Sequence, residues 1–317
     1  TGLVSLLGAT PGMEVVGDAE DGRQAIAAAE RLRPDVCISL GGHDITALPV
    51  LRDGSVKIAE FHFSHDKFYR KYGSNPVGRL YARLRTHKFE AAAAQLQRLV
   101  VLTAKDAEAW APRLQNVTVI GNPVAFPSDI STAPAALDAK SMIAVGRLRP
   151  EKNIPAMVRA WSLVAAKHPD WSLDIFGAGP MKDGIERLVG QCGLAGKGRL
   201  MGLSTDIRSE MLRRSGIVMS SVYEGFPLAL VEASSCGLPM VSFECSGSSE
   251  IIADGHNGFL VAQGDEMGLS DASGRLIDDA ELRRAMGRSA LESSSRFAID
   301  AVMRRWTELF ESLTGKI

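Results

Sequence analysis

Two stretches beyond residue 140 combine residue types that bind an anionic ligand rich in hydroxyl groups. The first, Gly146-Arg147-Leu-Arg149-Pro-Glu-Lys152-Asn153, directly follows a short apolar run. Glycine lets the backbone approach a ligand, and two cations beside the start of a helix suit a diphosphate. Arg147 and Lys152 are the predicted pair, Arg149 could replace one of them, and a solvated basic loop is the alternative interpretation.

The second stretch, residues 220–239, contains Glu224-Gly-Phe-Pro227 and places Glu232 in the apolar run that follows. Gly225 permits a tight turn, and Pro227 is predicted at the first helical position, where free amides favour an anion. Burying Glu232 costs free energy unless its carboxylate has partners. A ribose supplies two neighbouring hydroxyl donors, whereas internal pairing with an arginine is the alternative.

Both stretches lie in predicted strand-to-helix loops of an α/β protein. Short apolar runs, each followed by a helical pattern, recur along the chain, as in parallel sheets covered on both faces. Ligands of such sheets bind beyond the carboxyl ends of the strands. The predicted strands are 36–40, 56–61, 99–103, 117–120, 142–145 and 172–176, with others near 199, 218 and 240; the predicted helices include 21–33, 76–97, 155–167 and 182–192.

The chain length of 317 residues and a proline-containing stretch without periodicity predict two domains joined by a linker. Because the chain begins without Met, we expect that upstream sequence is missing. The predicted segments are an N-terminal domain at 1–123, a linker at 124–140, a C-terminal domain at 141–295 and an amphipathic helix at 296–317.

Composition narrows the functional classes. The 36 Lys and Arg residues balance 37 Asp and Glu residues, so the chain lacks the strong positive field of a nucleic-acid-binding protein. Its 4 cysteines form no CxxC pair and no cluster with the 6 histidines, which argues against structural zinc and favours reduced thiols. No apolar run is long enough to span a bilayer. We therefore expect a cytoplasmic protein, at the inner face of the cell membrane if its acceptor is lipid-linked.

Residues 67–98 form a strongly basic segment. They contain eight Lys and Arg residues and one acid, Glu90, which gives a local charge of +7. Such a cluster, with tyrosines nearby, is typical of peripheral contact with anionic lipid headgroups. The alternatives are nucleic-acid binding, which the overall charge disfavours, and a solvated helix face.

Nearly all of residues 141–317 resemble glycosyltransferase family four, whose members are retaining enzymes of the GT-B fold. The resemblance implies an α/β chain with two Rossmann-like, doubly wound domains that face a cleft, the N-terminal one being short here. The matching motifs are Gly-Arg-Leu-x-x-Glu-Lys-Asn at 146–153, the glutamates Glu224 and Glu232, and Gly237-Leu-Pro239.

This resemblance implies roles for individual residues in binding the donor. Arg147 and Lys152 would hold the donor diphosphate, and Glu232 would bind the ribose hydroxyls. Glu224 would contact the donor sugar as a catalytic residue. Backbone groups would complete the sugar and phosphate cradle, although proline has no N–H to donate. The cradle residues are Gly225, Phe226, Pro227 and Leu228.

The N-terminal match is looser and points to members that build bacterial cell-surface polysaccharides. It rests on Arg33-Pro-Asp35, Gly41-Gly42 and Glu60-Phe-His62-Phe-Ser-His65. By this resemblance His62 is a catalytic residue beside the transferred sugar. His65 is the rival candidate, and an ordinary polar residue at a strand end is the other alternative. A stretch near residue 13 also resembles receiver domains, but Leu40 occupies the position of their phosphorylated aspartate, so phosphotransfer is not expected.

The function that the resemblance implies is transfer of a hexose from a UDP- or GDP-linked sugar to a cell-surface glycan or lipid-linked acceptor, as in capsule or lipopolysaccharide synthesis. No Asp-x-Asp motif is present, and arginine and lysine can neutralise a leaving diphosphate without a metal ion. We therefore expect no metal and no cofactor other than the nucleotide-sugar co-substrate. The alternatives are a nucleotide-sugar 2-epimerase of the same architecture and a catalytically inactive donor-binding fragment.

Overall fold

The computed structural model describes residues 2–40, 43–124 and 133–315, so Gly41-Gly42 and part of the predicted linker lie outside the described residues. The chain divides into two compact units. The first comprises Thr1–Asn122 together with Ile299–Ile317, and the second comprises Pro123–Ala298. Each unit contains a parallel sheet with helices, which confirms the predicted α/β class.

The described part of the first unit holds four parallel strands in the order β1-β2-β3-β4. The strands are β1 (Val36–Ser39), β2 (Val56–Phe61), β3 (Arg98–Val101) and β4 (Val117–Val119). The helices are α1 (Gly2–Gly8), α2 (Gly22–Leu32), α3 (Lys67–Tyr72), α4 (Pro76–Ala93), α5 (Ala104–Trp110) and α13 (Ile299–Thr314).

Helices cover both faces of this sheet because the side chains of β2 alternate between two apolar clusters. Phe61 packs in the cluster that includes residues of α4. Ile58 packs in the cluster that includes residues of α13. The predicted amphipathic stripe of α13 is confirmed as its buried face, with Trp306 at its centre.

The second unit contains a six-stranded parallel sheet among its described residues, in the order β10-β9-β8-β5-β6-β7. Its strands are β5 (Ser141–Val145), β6 (Ser172–Phe176), β7 (Gly198–Gly202), β8 (Ile217–Met219), β9 (Met240–Phe243) and β10 (Gly258–Val261). Its helices are α6 (Ile154–Lys167), α7 (Lys182–Gln191), α8 (Ile207–Leu212), α9 (Leu228–Ser235), α10 (Ser246–Ile251), α11 (Glu266–Asp278) and α12 (Ala280–Ser294).

The order of the strands reverses between β5 and β8. From β5 the chain adds β6 and β7 on one side, and then returns to place β8, β9 and β10 on the other. Loops that leave the carboxyl ends of two such adjacent strands diverge and open a crevice, the usual ligand site of a doubly wound sheet. In this unit they are the loops after β5 and β8, which carry the two predicted donor-binding stretches.

The described part of the predicted linker, residues 133–140, packs onto the second unit. Leu137 is buried, and its carbonyl accepts a hydrogen bond from Arg283 Nε at 3.0 Å. No helix within the described ranges has both the length and the apolar character needed to cross a membrane.

Candidate functional site

The loop after β5 carries the two cations predicted to bind a diphosphate. Arg147 is exposed, and its Nη2 lies 3.5 Å from Glu151 Oε1. Lys152 ends a short 3-10 helix, Pro150–Lys152. Its side chain is mostly buried, and a Cβ atom at Gly146 would lie 3.5 Å from Lys152 Cδ. One cation is therefore in solvent and the other is held against the backbone at the end of β5.

The loop after β8 brings a predicted catalytic residue to the second of these cations. Glu224 Oε1 forms an ion pair with Lys152 Nζ and accepts a hydrogen bond from Ser221 Oγ at 2.8 Å. The hydroxyl of Ser220 donates to the Lys152 carbonyl at 2.8 Å, so the two loops are also joined through the backbone. The structure thus brings together Lys152 and Glu224, which are 72 positions apart in the chain.

Two residues that support these loops were not among the predicted site residues. Gly177 follows β6 with φ of +149°, and a Cβ atom there would lie 1.9 Å from the Gly146 carbonyl oxygen. A glycine-rich turn after a strand is the signal that could have identified it. Gln263 Nε2 donates to the carbonyls of Ser221 at 2.9 Å and Glu244 at 3.0 Å. No local sequence signal marks Gln263, because its hydrogen-bond partners lie in the segments that follow β8 and β9.

The start of α9 differs from the prediction at Pro227. This residue is extended, with ψ of 92°, and caps the helix, which begins at Leu228. Pro227 therefore precedes the first helical position instead of occupying it. Among the described residues, none accepts a hydrogen bond from the N–H of Gly225 or Phe226. Within this part of the chain both amides are therefore available to donate to a bound anion.

The cradle side chains differ in their surroundings. The Phe226 ring is buried and packs edge-on against Phe297, with ring centroids 5.7 Å apart. Leu228 is exposed at the start of α9. Phe226 therefore anchors the loop through its ring, and only its backbone is available to a ligand.

Gly247 on α10 sets the position of the cradle loop. A Cβ atom at Gly247 would lie 2.5 Å from Pro227 Cδ and 3.0 Å from the Glu224 carbonyl oxygen. We expect Gly247→Ala to displace the 224–227 loop and to lower the free energy of unfolding by about 1–3 kcal/mol, as overpacking does. Urea unfolding measures this change.

The matched control is Gly190→Ala, because Gly190 is helical and a Cβ atom there meets nothing within 4 Å. Alanine is a better helix former than glycine, so this variant should be unchanged or more stable. Equal stability losses in the two variants would show that Gly247 holds no special position.

Glu232 lies on α9, and its side chain is partly buried. Burial raises its pKa to about 7. Among the described residues no side chain forms an ion pair or hydrogen bond with it, so the alternative of an internal arginine partner is not found in this part of the chain. A buried carboxylate without a protein partner is costly, and a ligand with hydroxyl groups would offset that cost.

In the first unit His62 directly follows β2, as predicted. Its side chain is about one-third exposed, and Nε2 lies 3.1 Å from Glu60 Oε2. The rival His65 donates its backbone N–H to Asp106 Oδ1 at 3.0 Å, and its ring packs on Trp110 with centroids 4.2 Å apart. The geometry gives His65 a packing role and leaves His62 accessible at the strand end.

No group of three or more His, Cys, Asp or Glu side chains suited to a metal ion occurs in the residues that the structure describes. The predicted site residues are divided between the units. His62 belongs to the first unit, whereas the donor-binding residues and Glu224 belong to the second.

Residues 128–293, about half of the chain, match the family model of the glycosyl transferases group 1. The chain belongs to this family, which confirms the resemblance drawn from its motifs.

Among curated relatives, an exopolysaccharide phosphotransferase of Streptomyces coelicolor is 35% identical over 228 residues, which cover 69% of this chain and 24% of that protein. An amylovoran biosynthesis glycosyltransferase of Erwinia amylovora, AmsD, is 30% identical over 67% of this chain and 62% of its own length. The chain therefore spans less than two thirds of the length of these relatives.

Solved structures share the fold at low sequence identity. A mutant of S. aureus TarM in complex with Fondaparinux, alpha-GlcNAc-glycerol and UDP superimposes with a TM-score of 0.72 at 21% identity, over 91% of this chain and 58% of that one. HepE of Anabaena in complex with UDP gives a TM-score of 0.78 at 18% identity, over 92% of this chain and 82% of that one. These likenesses confirm the predicted GT-B fold.

Proposed function

We propose that this chain transfers a sugar, with retention of anomeric configuration, from a nucleotide diphosphate sugar to a cell-surface glycan or lipid-linked acceptor. The observation that carries the proposal is the convergence of Lys152, Glu224 and the start of α9 at the β5/β8 reversal of the second sheet. Cations lie there together with amides and a carboxylate that have no hydrogen-bond or ion-pair partner among the described residues, and these groups match the diphosphate, sugar and ribose of one ligand. Membership of the glycosyl transferases group 1 supports this assignment.

Each donor-site residue has a distinct proposed role. Arg147 and Lys152 neutralise the leaving diphosphate in place of a metal ion. Glu224 contacts the donor sugar, and Glu232 accepts hydrogen bonds from the ribose hydroxyls. The amides of the 225–228 segment, apart from that of Pro227, complete the cradle. His62, which belongs to the first unit, is the residue assigned to the transferred sugar.

A donor screen tests this proposal. Thermal unfolding of the chain is measured with UDP- and GDP-linked hexoses, with the matching nucleoside monophosphates and with the free sugars. A ligand at 100 times its dissociation constant adds about 2.7 kcal/mol to stability. We expect at least one nucleotide sugar to stabilise the chain more than its monophosphate and sugar do separately. Stabilisation by none of the nucleotide sugars would contradict the donor site.

Product analysis separates transfer from the alternatives. A glycoside that forms when donor and acceptor are both present supports a transferase. Conversion of the donor to a different nucleotide sugar, without formation of any glycoside, would indicate a 2-epimerase instead. Donor binding without any product would indicate an inactive donor-binding protein.

Glu232 predicts a specific pH dependence of donor binding. The ionised carboxylate accepts two hydroxyl hydrogen bonds, so the donor binds this form preferentially. Because the pKa of Glu232 is about 7, the protonated form dominates at lower pH, and donor affinity should fall about tenfold per pH unit below 7. Affinity should become constant as the pH rises above the pKa. Calorimetric titration of the protein with donor at pH values from about 5.5 to about 8.5, which bracket this pKa, measures the profile.

The control is Glu232→Gln, which retains the shape of the side chain but cannot ionise. Its donor affinity should be lower than that of the wild type above pH 7 and nearly independent of pH. The same steep profile in Glu232→Gln would assign the titration to another group and remove Glu232 from the ribose site.

We also propose that the first unit contacts anionic membrane surface through α4. One face of this helix exposes Val77, Leu80 and Leu84, which are 80%, 59% and 59% exposed. Arg79 and Arg83 are exposed beside them. An apolar stripe flanked by basic residues suits the boundary between lipid headgroups and acyl chains. The cytoplasmic face of the cell membrane is therefore the proposed location.

Liposome flotation tests the membrane contact. Replacing Arg79, Arg83 and Lys88 by Gln should abolish most binding to vesicles of anionic lipid, and wild-type binding should fall as salt shortens the Debye length from about 10 Å to about 3 Å. Arg85 is left in place because its guanidinium packs on the Phe68 ring at 5.6 Å.

The matched control removes three positive charges from exposed arginines elsewhere. It combines Arg31→Gln, Arg288→Gln and Arg304→Gln. Full binding in this control and weak binding in the α4 variant would support the proposal. Equal loss in both variants, or equal binding of the wild type to neutral vesicles, would contradict it.

A further inference from the structure

An acidic residue, Glu60, lies beside His62, the accessible histidine of the first unit. Ile58, Glu60 and His62 follow one another at alternate positions along and just beyond β2, so their side chains share one face of the sheet. Ile58 on this face belongs to an apolar cluster with residues of β3 and α13. Glu60 is only 2% exposed. A carboxylate thus interrupts an otherwise apolar face, immediately before the strand end.

Within the described part of the chain, the ion-pair partner of Glu60 is His62. Glu60 Oε2 is buried without a hydrogen bond of good geometry, and the basic group within ion-pair distance is His62 Nε2 at 3.1 Å. Burying the Glu60 carboxylate does not by itself favour folding, because replacing a buried ionic group by an apolar side chain of similar size is often neutral or stabilising. The presence of a carboxylate at this buried position therefore points to a function that it exerts through His62.

We propose that Glu60 is a positioning residue that keeps the proton of His62 on Nε2. A carboxylate beside one ring nitrogen selects the tautomer that carries the proton there, which leaves Nδ1 with a lone pair. Nδ1 can then accept a hydrogen bond from a hydroxyl group of a substrate. This inference rests on the proposed role of His62 in sugar transfer, but the tautomer itself can be measured without any substrate.

The first test is the nitrogen NMR spectrum of the chain labelled with ¹⁵N-histidine, recorded without ligand. The signals of His62 are identified as those missing from His62→Gln. In the wild type the proton of the neutral ring should reside on Nε2. In Glu60→Met the two ring nitrogens should shift toward the values of a mixed tautomer, whereas His65, which packs on Trp110, should not change.

The second test separates positioning from a structural role. Glu60→Met should melt at the same temperature as the wild type or higher, while kcat falls about 10- to 100-fold with little change in KM for the donor. Glu60→Gln, whose side-chain amide oxygen is able to accept a hydrogen bond from Nε2–H, should recover part of kcat and of the wild-type tautomer.

The outcomes distinguish this inference from the proposed function. Unchanged His62 signals in Glu60→Met would overturn the positioning role, as would a loss of kcat that merely follows a lowered melting temperature. If the tautomer changes in Glu60→Met but His62→Gln retains full activity, Glu60 still positions His62 and the catalytic assignment of His62 is wrong.

Discussion

Replacing Arg147 or Lys152 by alanine is expected to lower kcat/KM for the nucleotide sugar by about 30- to 1,000-fold in each variant. Under the proposed assignment, each variant lacks a cation that neutralises charge developing on the leaving diphosphate. Losing such a cation costs about 2–4 kcal/mol of transition-state stabilisation. Lys152 should have the larger effect, because its side chain is mostly buried and is already oriented by Glu224. Initial rates at subsaturating donor concentration measure both values.

Arg149→Ala is the matched control for the basic loop. Arg149 is exposed, and it was the alternative candidate for one of the two diphosphate cations. Its removal should change kcat/KM by less than about threefold, because Arg147 and Lys152 are the two cations assigned to the diphosphate and an exposed charge without such a contact contributes little. A variant without both Arg147 and Lys152 that kept full activity would refute the diphosphate assignment.

The second large effect concerns the frame of the donor-binding unit. Asp174 in β6 is fully buried, and it accepts hydrogen bonds from Arg199 Nε at 2.6 Å and from Arg214 Nε at 2.8 Å. Asp174→Ala would leave Arg214, which is itself largely buried, without this partner. We expect the free energy of unfolding to fall by about 3–5 kcal/mol, the usual result of breaking one side of a buried ion pair. Urea unfolding followed by circular dichroism measures the loss.

An exposed ion pair of the same unit provides the comparison. Asp170 lies 2.6 Å from Lys140 Nζ, and both side chains are more than half exposed. Asp170→Ala should therefore cost less than about 1 kcal/mol. A similar loss in Asp170→Ala and Asp174→Ala would show that burial does not set the strength of the Asp174 network.

Much of the fold could be predicted from local patterns. The structure confirms the predicted bounds of β2 and β6, because each is an apolar run that ends at a polar or glycine residue. The short strand β10 was missed, since four residues after a polar turn give too little alternation to identify a strand. The extended conformation of Pro227 was also missed, because proline suits both the first helical position and the residue before it.

The candidate site depended more on tertiary structure. The sequence identified Lys152 and Glu224 separately, but their contact requires β5 and β8 to be neighbours, and local periodicity contains no information on strand order. The close approach of Gly247 to Pro227 is equally non-local. By contrast, the pairing of Glu60 with His62 could have been predicted, because a two-residue spacing at a strand end places both side chains on one face.

Metal-independent transfer of a sugar with retained configuration can be followed through the anomeric proton signals of donor and product by NMR. An α-linked nucleotide sugar and an excess of acceptor glycan are incubated with the chain in the presence of EDTA. We expect an α-linked glycoside to appear at the rate at which the donor is consumed, and we expect added Mg²⁺ not to change this rate. A β-linked product, or an α-linked product that forms only when Mg²⁺ is added, would contradict this expectation.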